Sequence, residues 1–306
     1  GEMDETTGTP LLEMKNIERK KSINNPHLKS NKNVFISPLI RAVRRGIRMT
    51  EQYLNEQKDV KKLKIIDTDL TGRNIFHLSV QREELLEYLL DAFEKHDELI
   101  QALHSEDVNG YTPAHVAVLH NERKSMHMLS AVDKNMSTIR STKTGKTLIH
   151  SAVESGNSYI VQDILEARPD ALCDKDMDEK PPQHFAAALE ESLLLEYLLS
   201  QGADLFETDK NNSTPLHVAA EADSISNVKL LVSDERDLLR VEDNQGRTPL
   251  HIACAYGYRN IVSFLLESGA DPLARMENGQ NCMEVAVIHK QNEVVKEMLL
   301  SDLWKD

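Results

Sequence analysis

Apolar side chains recur along the chain in short blocks that have the period of an α-helix. The clearest block, from Ile261 to Leu266, places five apolar residues on one side of a helix. Gly269-Ala270-Asp271 follows it, and because glycine commonly ends a helix, the pattern predicts a helix that stops just before this tripeptide. Gly202-Ala203-Asp204 follows the Leu-rich residues 193–199 in the same way. That stretch is flanked by glutamates and is shorter than the roughly 20 apolar residues of a membrane span, so we interpret it as another soluble helix.

A second block, rich in Thr, Pro, His and Ala, precedes these helices. Its fullest copies are residues 213–220, 247–254 and 111–117, its weaker copies are 146–152 and 180–186, and its degenerate copies are 37–42, 74–79 and 281–286. The proline position of the block falls at residues 38, 75, 113, 148, 182, 215, 249 and 282. Consecutive copies are therefore 33 to 38 residues apart, a period that indicates stacked repeats.

The residue types of this block suit the start of a helix. A Thr hydroxyl can cap free backbone N–H groups, and Pro at the first helical position loses no hydrogen bond. The Leu and Ala are expected to face the neighbouring helix pair, and the His to hydrogen-bond the loop backbone between repeats. Each unit then buries its apolar side only against its neighbours.

The Thr-Pro-Leu-His-x-Ala motif at this period resembles that of ankyrin repeats. The resemblance predicts an all-α ankyrin-repeat solenoid of about eight helix–turn–helix repeats, with short β-hairpin or loop connections, over residues 34–306. Repeats are expected to start near residues 34, 69, 107, 142, 176, 209, 243 and 276. The longer steps early in the array predict either an extended second helix or an extra helix within residues 81–106. Residues 1–33 are polar without an apolar period, and we expect them to be disordered.

Charge and composition exclude several function classes. The formal net charge is −14, which repels phosphate backbones, so we expect no nucleic-acid partner. The chain has neither a run long enough for a membrane helix nor the apolar core of a signal peptide, so we expect no membrane insertion within it and a cytoplasmic location. Its three cysteines are too few and too irregularly spaced for a disulfide framework, which suits a reducing compartment.

Six histidines recur one per repeat, which favours a structural role over metal binding or catalysis. They are His77, His115, His150, His184, His217 and His251. No Cys-x-x-Cys, His-Glu-x-x-His or nucleophile-elbow motif occurs. We therefore expect no enzymatic activity, no cofactor and no metal.

Two segments imitate ligand-binding loops. Residues 144–147 read like the end of a phosphate-binding loop, but Arg140 stands where that loop requires glycine. Asp174, Asp176 and Asp178 are spaced like the start of a calcium loop, but Glu179 occupies its obligatory glycine position. We interpret the first as a turn leading into a helix and the second as a solvated acidic turn.

The cysteines and two basic segments allow more than one interpretation. Cys254 and Cys282 occupy motif positions that should be buried and inert, whereas Cys173 should lie in a loop before three aspartates; the alternative is a redox or electrophile-sensing role for one of them. The basic run within residues 18–22 fits a solvated tail, a kinase site or a weak contact with acidic lipid. A basic face on the first repeat fits a polar terminal cap or a docking point for an acidic partner; it consists of Arg41, Arg44, Arg45 and Arg48.

Protein partners are expected at the hairpin tips and on the concave face of the first helices, because these positions are exposed and regularly spaced. The predicted hairpin-tip positions are Asn109, Tyr111, Asn244 and Arg247. The predicted helix positions are Leu119, His120, Glu221 and Tyr256.

Two segments show a narrower resemblance. Residues 281–304, which include Val294-Val295 and end in Trp304, resemble the last ankyrin repeat of TRPA-type transient-receptor-potential channels, and residues 69–81 resemble a mid-array repeat of that family. The resemblance implies the cytosolic region of a plasma-membrane cation channel that supports tetramer assembly and couples a stimulus to the pore. Trp304 would then mark the junction with the membrane-proximal linker. The alternative is a free-standing ankyrin adaptor or inhibitor that binds a signalling protein.

Overall fold

The computed structural model describes residues 36–300, which form seventeen α-helices. Numbered along the chain, they are α1 (Pro38–Arg45), α2 (Ile47–Asn55), α3 (Ile75–Ser79), α4 (Glu83–Ala92), α5 (Leu99–His104), α6 (Pro113–Leu119), α7 (Arg123–Val132), α8 (Leu148–Glu154), α9 (Ser158–Ala167), α10 (Pro182–Ala187), α11 (Leu193–Ser200), α12 (Pro215–Glu221), α13 (Ile225–Asp234), α14 (Pro249–Tyr256), α15 (Arg259–Glu267), α16 (Cys282–Ile288) and α17 (Asn292–Leu300). The predictions made for residues 1–33, for the basic run at 18–22 and for Trp304 lie outside the described residues.

Sixteen of these helices form eight pairs, each with a first helix that starts at the motif. The first helices are α1, α3, α6, α8, α10, α12, α14 and α16. The predicted fold class, an all-α solenoid of ankyrin repeats, is confirmed. The connections between pairs take the loop form, since residues 36–300 contain no β-strand.

The motif starts each first helix as predicted. At α14 the Thr248 hydroxyl caps the helix at the N–H of His251, and the His251 ring accepts from the N–H of Thr248 at 3.2 Å. Pro249 is the first helical residue, where its missing N–H leaves no unpaired group. The same reciprocal cap occurs at Thr147 and Thr214.

The core is a continuous seam between successive first helices. Helix α14 packs against α12 on one side and α16 on the other. Leu216 and Leu250 are at most 1% exposed, and Ala219 and Ala253 are fully buried. Burying one such leucine contributes about 2 kcal/mol, and the small alanines let the helix backbones approach closely. Each pair is therefore stabilised by its neighbours.

The insertion early in the array is an extra helix and not a longer second helix. Helix α4 ends at Ala92, and α5 begins after a turn and packs against α6. Leu99, Ala102 and Leu103 bury one side of α5. His104 Nε2 lies 2.6 Å from Asp133 Oδ2, so an ion pair or hydrogen bond joins the end of α5 to the end of α7.

Candidate protein-binding face

One aspartate organises the turn before most first helices. In the turn before α14, Asp243 Oδ1 accepts hydrogen bonds from the N–H groups of Gln245 and Arg247, both at 2.9 Å. The same pattern occurs at Asp69, Asp107, Asp176 and Asp209. Motif reasoning missed these residues, although an Asp five positions before the capping residue was a visible signal.

Hydrogen bonding keeps the buried Asp69 charged. Burial would raise the pKa of Asp69, but hydrogen bonds from Thr71, Arg73 and Arg44 together lower it. Arg44 Nη2 lies 2.7 Å from Asp69 Oδ2. Part of the predicted basic face on the first repeat is therefore an internal partner of the next turn.

One position of each turn, in most turns the third residue after the organising aspartate, has a left-handed backbone. Gly246 has φ +71°, and a Cβ atom there would lie 2.7 Å from the backbone nitrogen of Glu277 in the next turn. Glu179 and Asn212 occupy the same position with φ +60°. A side chain is unfavourable in this conformation, more so for Glu than for Asn, so the turn before α10 is strained.

Backbone hydrogen bonds join neighbouring turns into a ladder. The N–H groups of Asn244 and Lys210 donate to the carbonyls of Asn211 and Asp178, each at 2.9 Å. Further rungs are Val108 to Thr71, Met177 to Thr144 and Glu277 to Gln245, at 3.0 to 3.1 Å. We call this row of turns, between Asp69 and Gln280, the turn edge.

The ladder changes at the turn before α8, which has one extra residue. Six positions separate Ser141 from Thr147, against five in the neighbouring turns. There the N–H of Thr142 donates to the Glu106 carboxylate at 2.6 Å instead of to a backbone carbonyl. Lys143 reaches back and donates to the carbonyl of Val108.

The motif histidines connect each helix pair to the following turn. The Nε2 atom of His217 donates to the carbonyl of Arg247 at 3.0 Å, while its Nδ1 accepts from the N–H of Thr214. Nε2 contacts a carbonyl of the next turn region in the other five as well: His77, His115, His150, His184 and His251. Because Nδ1 accepts and Nε2 donates, this arrangement requires a neutral ring.

Burial is the main cause of the depressed pKa values of these histidines. Burial lowers the pKa of His115 to about 4, and it also lowers the pKa of the other five. Within residues 36–300 no group of three His, Cys, Asp or Glu side chains could hold a metal ion. These contacts support the structural role of the histidines, which stays a prediction.

His184 departs from the pattern because Pro181 replaces the capping Thr. Proline offers neither an N–H nor a hydroxyl, and the buried Nδ1 of His184 has no hydrogen-bond partner. Nε2 still donates to the carbonyl of Ser213 at 2.8 Å. The repeat that starts at α10 thus has both a strained turn and an unsatisfied cap.

The eight predicted partner-binding residues fall into two groups. Four lie on the turn edge, where Asn109 and Asn244 are exposed and Tyr111 and Arg247 are half-buried. The other four lie at the carboxyl ends of first helices: Leu119, His120, Glu221 and Tyr256. Of this second group, Leu119 is half-buried and the other three are exposed.

Tyr256 takes part in a contact between two repeats. Its hydroxyl donates to Glu221 Oε1 at 3.1 Å, and its ring stacks on Tyr258 with the centroids 5.6 Å apart. The Tyr256 residue remains 49% exposed. A rigid, half-exposed aromatic pair is the kind of group that dominates binding energy at protein interfaces.

The two segments that imitate ligand loops have structural roles. Asp174 pairs with Arg168 and accepts from the Thr147 hydroxyl at 2.7 Å, Asp176 organises its turn, and Asp178 pairs with Lys210. Gly145 provides the left-handed position of its turn, and Thr147 caps α8. Neither segment is built as a calcium or phosphate loop.

The cysteines lie where the motif placed them. Cys254 and Cys282 are fully buried and Cys173 is exposed. The hydrogen bond with Cys282, together with burial, raises the pKa of the Cys254 thiol well above its usual value. Cys254 is therefore a poor nucleophile.

Comparison with known proteins identifies the repeats. Residues 183–276 match the family model for ankyrin repeats (3 copies). Combined with the helix pairs and motif contacts over residues 37–300, this match shows that the chain is built of ankyrin repeats. Ankyrin repeats serve in protein–protein interaction, so a role as an interaction scaffold follows from the fold. None of α1–α17 is long and apolar enough to cross a membrane.

Similar proteins include two channels and a subunit of a protein complex. The chain is 28% identical over 242 residues to the human transient receptor potential cation channel subfamily A member 1, a match that covers 78% of this chain and 21% of the channel. Its Caenorhabditis elegans homologue is 25% identical over 195 residues, 64% of this chain and 16% of the homologue. The target of rapamycin complex 2 subunit AVO2 of Saccharomyces cerevisiae is 27% identical over 175 residues, 56% of this chain and 41% of the subunit. The chain thus spans less than half the length of each of these relatives.

Proposed function

We propose that this ankyrin-repeat array is the cytosolic protein-binding region of a TRPA-like cation channel. In this role it would support assembly of the channel tetramer and couple a stimulus to the pore. The observation that carries the proposal is the match to the human subfamily A channel over 78% of the chain. It agrees with the resemblance of residues 69–81 and 281–304 to repeats of that family.

The turn edge and the adjoining helix ends are the proposed contact surface. The ladder and the motif histidines fix the backbone of this surface, so binding a partner there requires little ordering of the chain. Its proposed contacts are the exposed or half-exposed residues Asn109, Tyr111, Leu119, His120, Glu221, Asn244, Arg247 and Tyr256.

The first test of the channel assignment is the full reading frame that contains this chain. The proposal predicts several apolar segments of about 20 residues each on the carboxyl side of Asp306. A stop codon shortly after Asp306 would contradict it.

A second test uses the full-length protein in patch-clamped cells. Deletion of residues 37–300 should abolish tetramer formation or the response to stimulus. A deletion variant that still assembles and still gates normally would contradict the proposed role of the array.

The match to the yeast complex subunit supports a second candidate, a free-standing adaptor or inhibitor that binds a signalling protein. An adaptor should be monomeric when purified and should bind one soluble partner in a defined ratio. A channel region should instead associate with itself or with its own membrane-proximal segment. Sedimentation velocity of the purified array, alone and with captured protein, separates these outcomes.

A further inference from the structure

Positive charge collects at one position of the turn edge, the residue just before each capping residue. Between residues 73 and 247 this position is occupied six times, by Arg73, Tyr111, Lys146, Lys180, Ser213 and Arg247. Four of the six are cations, although the whole chain has a formal net charge of −14. We call these four residues the cation row.

The backbone of this position is held on both sides. At Arg247 the N–H donates to Asp243 Oδ1 at 2.9 Å, and the carbonyl accepts from His217 Nε2 at 3.0 Å. Lys180 is held in the same way by Asp176 and His150. The side chains of Lys180 and Arg247 therefore start from fixed points of the backbone.

Hydrogen bonds and ion pairs within the array leave most of the cation row available to a ligand. The buried Nε of Arg73 forms no hydrogen bond and lies 3.6 Å from Asp107 Oδ2. Arg247 donates to Asp243 only through Nε, at 2.7 Å, and Lys180 forms no ion pair with any residue of the described range. Lys146 differs, because it pairs with Glu154 and its side chain is only 14% exposed.

The spacing of the row matches an extended peptide. Neighbouring helices pack about 8–10 Å apart, so successive positions of the row are separated by roughly that distance. Three residues of an extended strand advance about 10 Å, and three residues of polyproline II advance about 9 Å with every third side chain on one face. A peptide along the turn edge would thus present every third residue to the row.

We propose that the cation row binds an extended acidic peptide that carries carboxylates at every third position. Arg73, Lys180 and Arg247 would each pair with one carboxylate, and the half-buried Tyr111 would offer its hydroxyl group between Arg73 and Lys180. The inference rests on the proposed function of the turn edge as a protein-binding surface. A short peptide is favoured over nucleic acid or anionic lipid because it brings only a few negative charges, each next to a cation of the row, whereas a polyanion would also face the acidic remainder of the chain.

The test uses two fluorescein-labelled peptides of equal composition, each about 15 residues long, a length that spans the row in an extended conformation. One has Glu at every third position between Pro-Pro pairs, and the other has the same glutamates in one block. Fluorescence anisotropy at low salt should show tighter binding of the periodic peptide, with an affinity that falls as salt rises. Equal affinity for the two peptides would overturn the proposal.

Variants then locate the binding site. Lys180→Glu should weaken binding of the periodic peptide roughly tenfold, and the milder Lys180→Gln roughly threefold. Lys95→Glu is the matched control. It makes the same charge change away from the row, since Lys95 is exposed in the loop after α4. Equal losses with Lys180→Glu and Lys95→Glu would also overturn the proposal.

Failure of this inference is distinguishable from failure of the proposed function. If the array captures a protein partner through Tyr111 and Tyr256 but binds neither peptide, the acidic-peptide inference fails and the binding role stands. If the array neither captures a partner nor binds a peptide, both fail. Thermal unfolding of each variant checks that the array remains folded.

Discussion

His217 Nε2 lies 3.0 Å from the carbonyl oxygen of Arg247, thirty residues further along the chain. The same carbonyl accepts from the N–H of Asp243 at 3.0 Å. One backbone oxygen therefore joins the helix of one repeat to the turn of the next. Because the contact recurs at five of the six motif histidines, it couples the stability of the array to the geometry of the turn edge.

Stability should fall at mildly acidic pH because these histidines are held neutral. Unfolded histidine binds a proton near pH 6.5, whereas burial lowers the pKa of folded His115 to about 4. Between these values the unfolded state binds more protons, so the free energy of unfolding decreases as pH falls below 6.5. From pH 7 to 5, His115 alone should account for a loss of roughly 2 kcal/mol.

Urea unfolding at several pH values between 7.5 and 5 measures this loss. His115→Gln removes one titrating group and should flatten the profile, although the variant is less stable at neutral pH. A stability that stays constant between pH 7 and 5 would show that the motif histidines are not held neutral by the fold.

Pro181→Thr should stabilise the array by restoring the missing cap. A Thr there offers a hydroxyl and an N–H to the unpartnered Nδ1 of His184, a gain of about 1–2 kcal/mol. Losing the rigidity of proline in the unfolded chain offsets about 0.5–1 kcal/mol. We expect a small net increase in the free energy of unfolding, measured by urea titration at pH 7.5. A decrease would mean that Pro181 stabilises the turn by more than the restored cap at His184 would stabilise the helix.

Adding a side chain at the left-handed turn position should lower the free energy of unfolding, and removing one should raise it. Gly246→Ala forces a Cβ to within 2.7 Å of the Glu277 nitrogen at φ +71°, so a loss of more than about 1 kcal/mol is expected. Glu179→Gly relieves a side chain held at φ +60° and should gain about 0.5–1 kcal/mol. Differential scanning calorimetry of both variants measures the shifts. Changes of the same sign would contradict the assignment of this position as a shared left-handed site.

Replacing both tyrosines of the proposed binding surface should weaken partner capture without unfolding the array. Tyr111→Ala combined with Tyr256→Ala removes two aromatic groups of the kind that often contribute about 2 kcal/mol each at interfaces. Tyr159→Ala is the matched control, since Tyr159 is 64% exposed on the second helix α9. Isothermal titration calorimetry with a captured partner should show a large loss only for the double variant. Full affinity in the double variant would place the binding surface elsewhere.

The motif predicts most of this fold because its residues act locally. Thr248 and Pro249 start α14 without help from distant parts of the chain, and burial of Cys254 and Cys282 follows from their place in the repeat. The exposure of Asn244 and Tyr256 could also be predicted, since repeat position determines which side chains face outwards.

Other features depend on contacts that a period cannot specify. The sequence left open whether residues 81–106 extend one helix or form another, because that depends on how Leu99 and Leu103 pack against α6. The sequence alone placed Arg44 on the basic face of the first repeat, yet it pairs with Asp69 of the following turn. The partners of Asp174 and the strained backbone at Glu179 likewise become visible only when neighbouring turns are placed side by side.

Hydrogen–deuterium exchange of the free array tests most directly whether the turn edge is a fixed surface. We predict that the amides of Val108, Met177, Lys210, Asn244 and Glu277, which form the ladder, exchange as slowly as amides within the first helices. The amides of Lys58 and Asp59, which form no backbone hydrogen bond in the described chain, should exchange quickly and serve as the internal reference. Exchange of the five ladder amides as fast as that reference would show a loose edge and contradict the account.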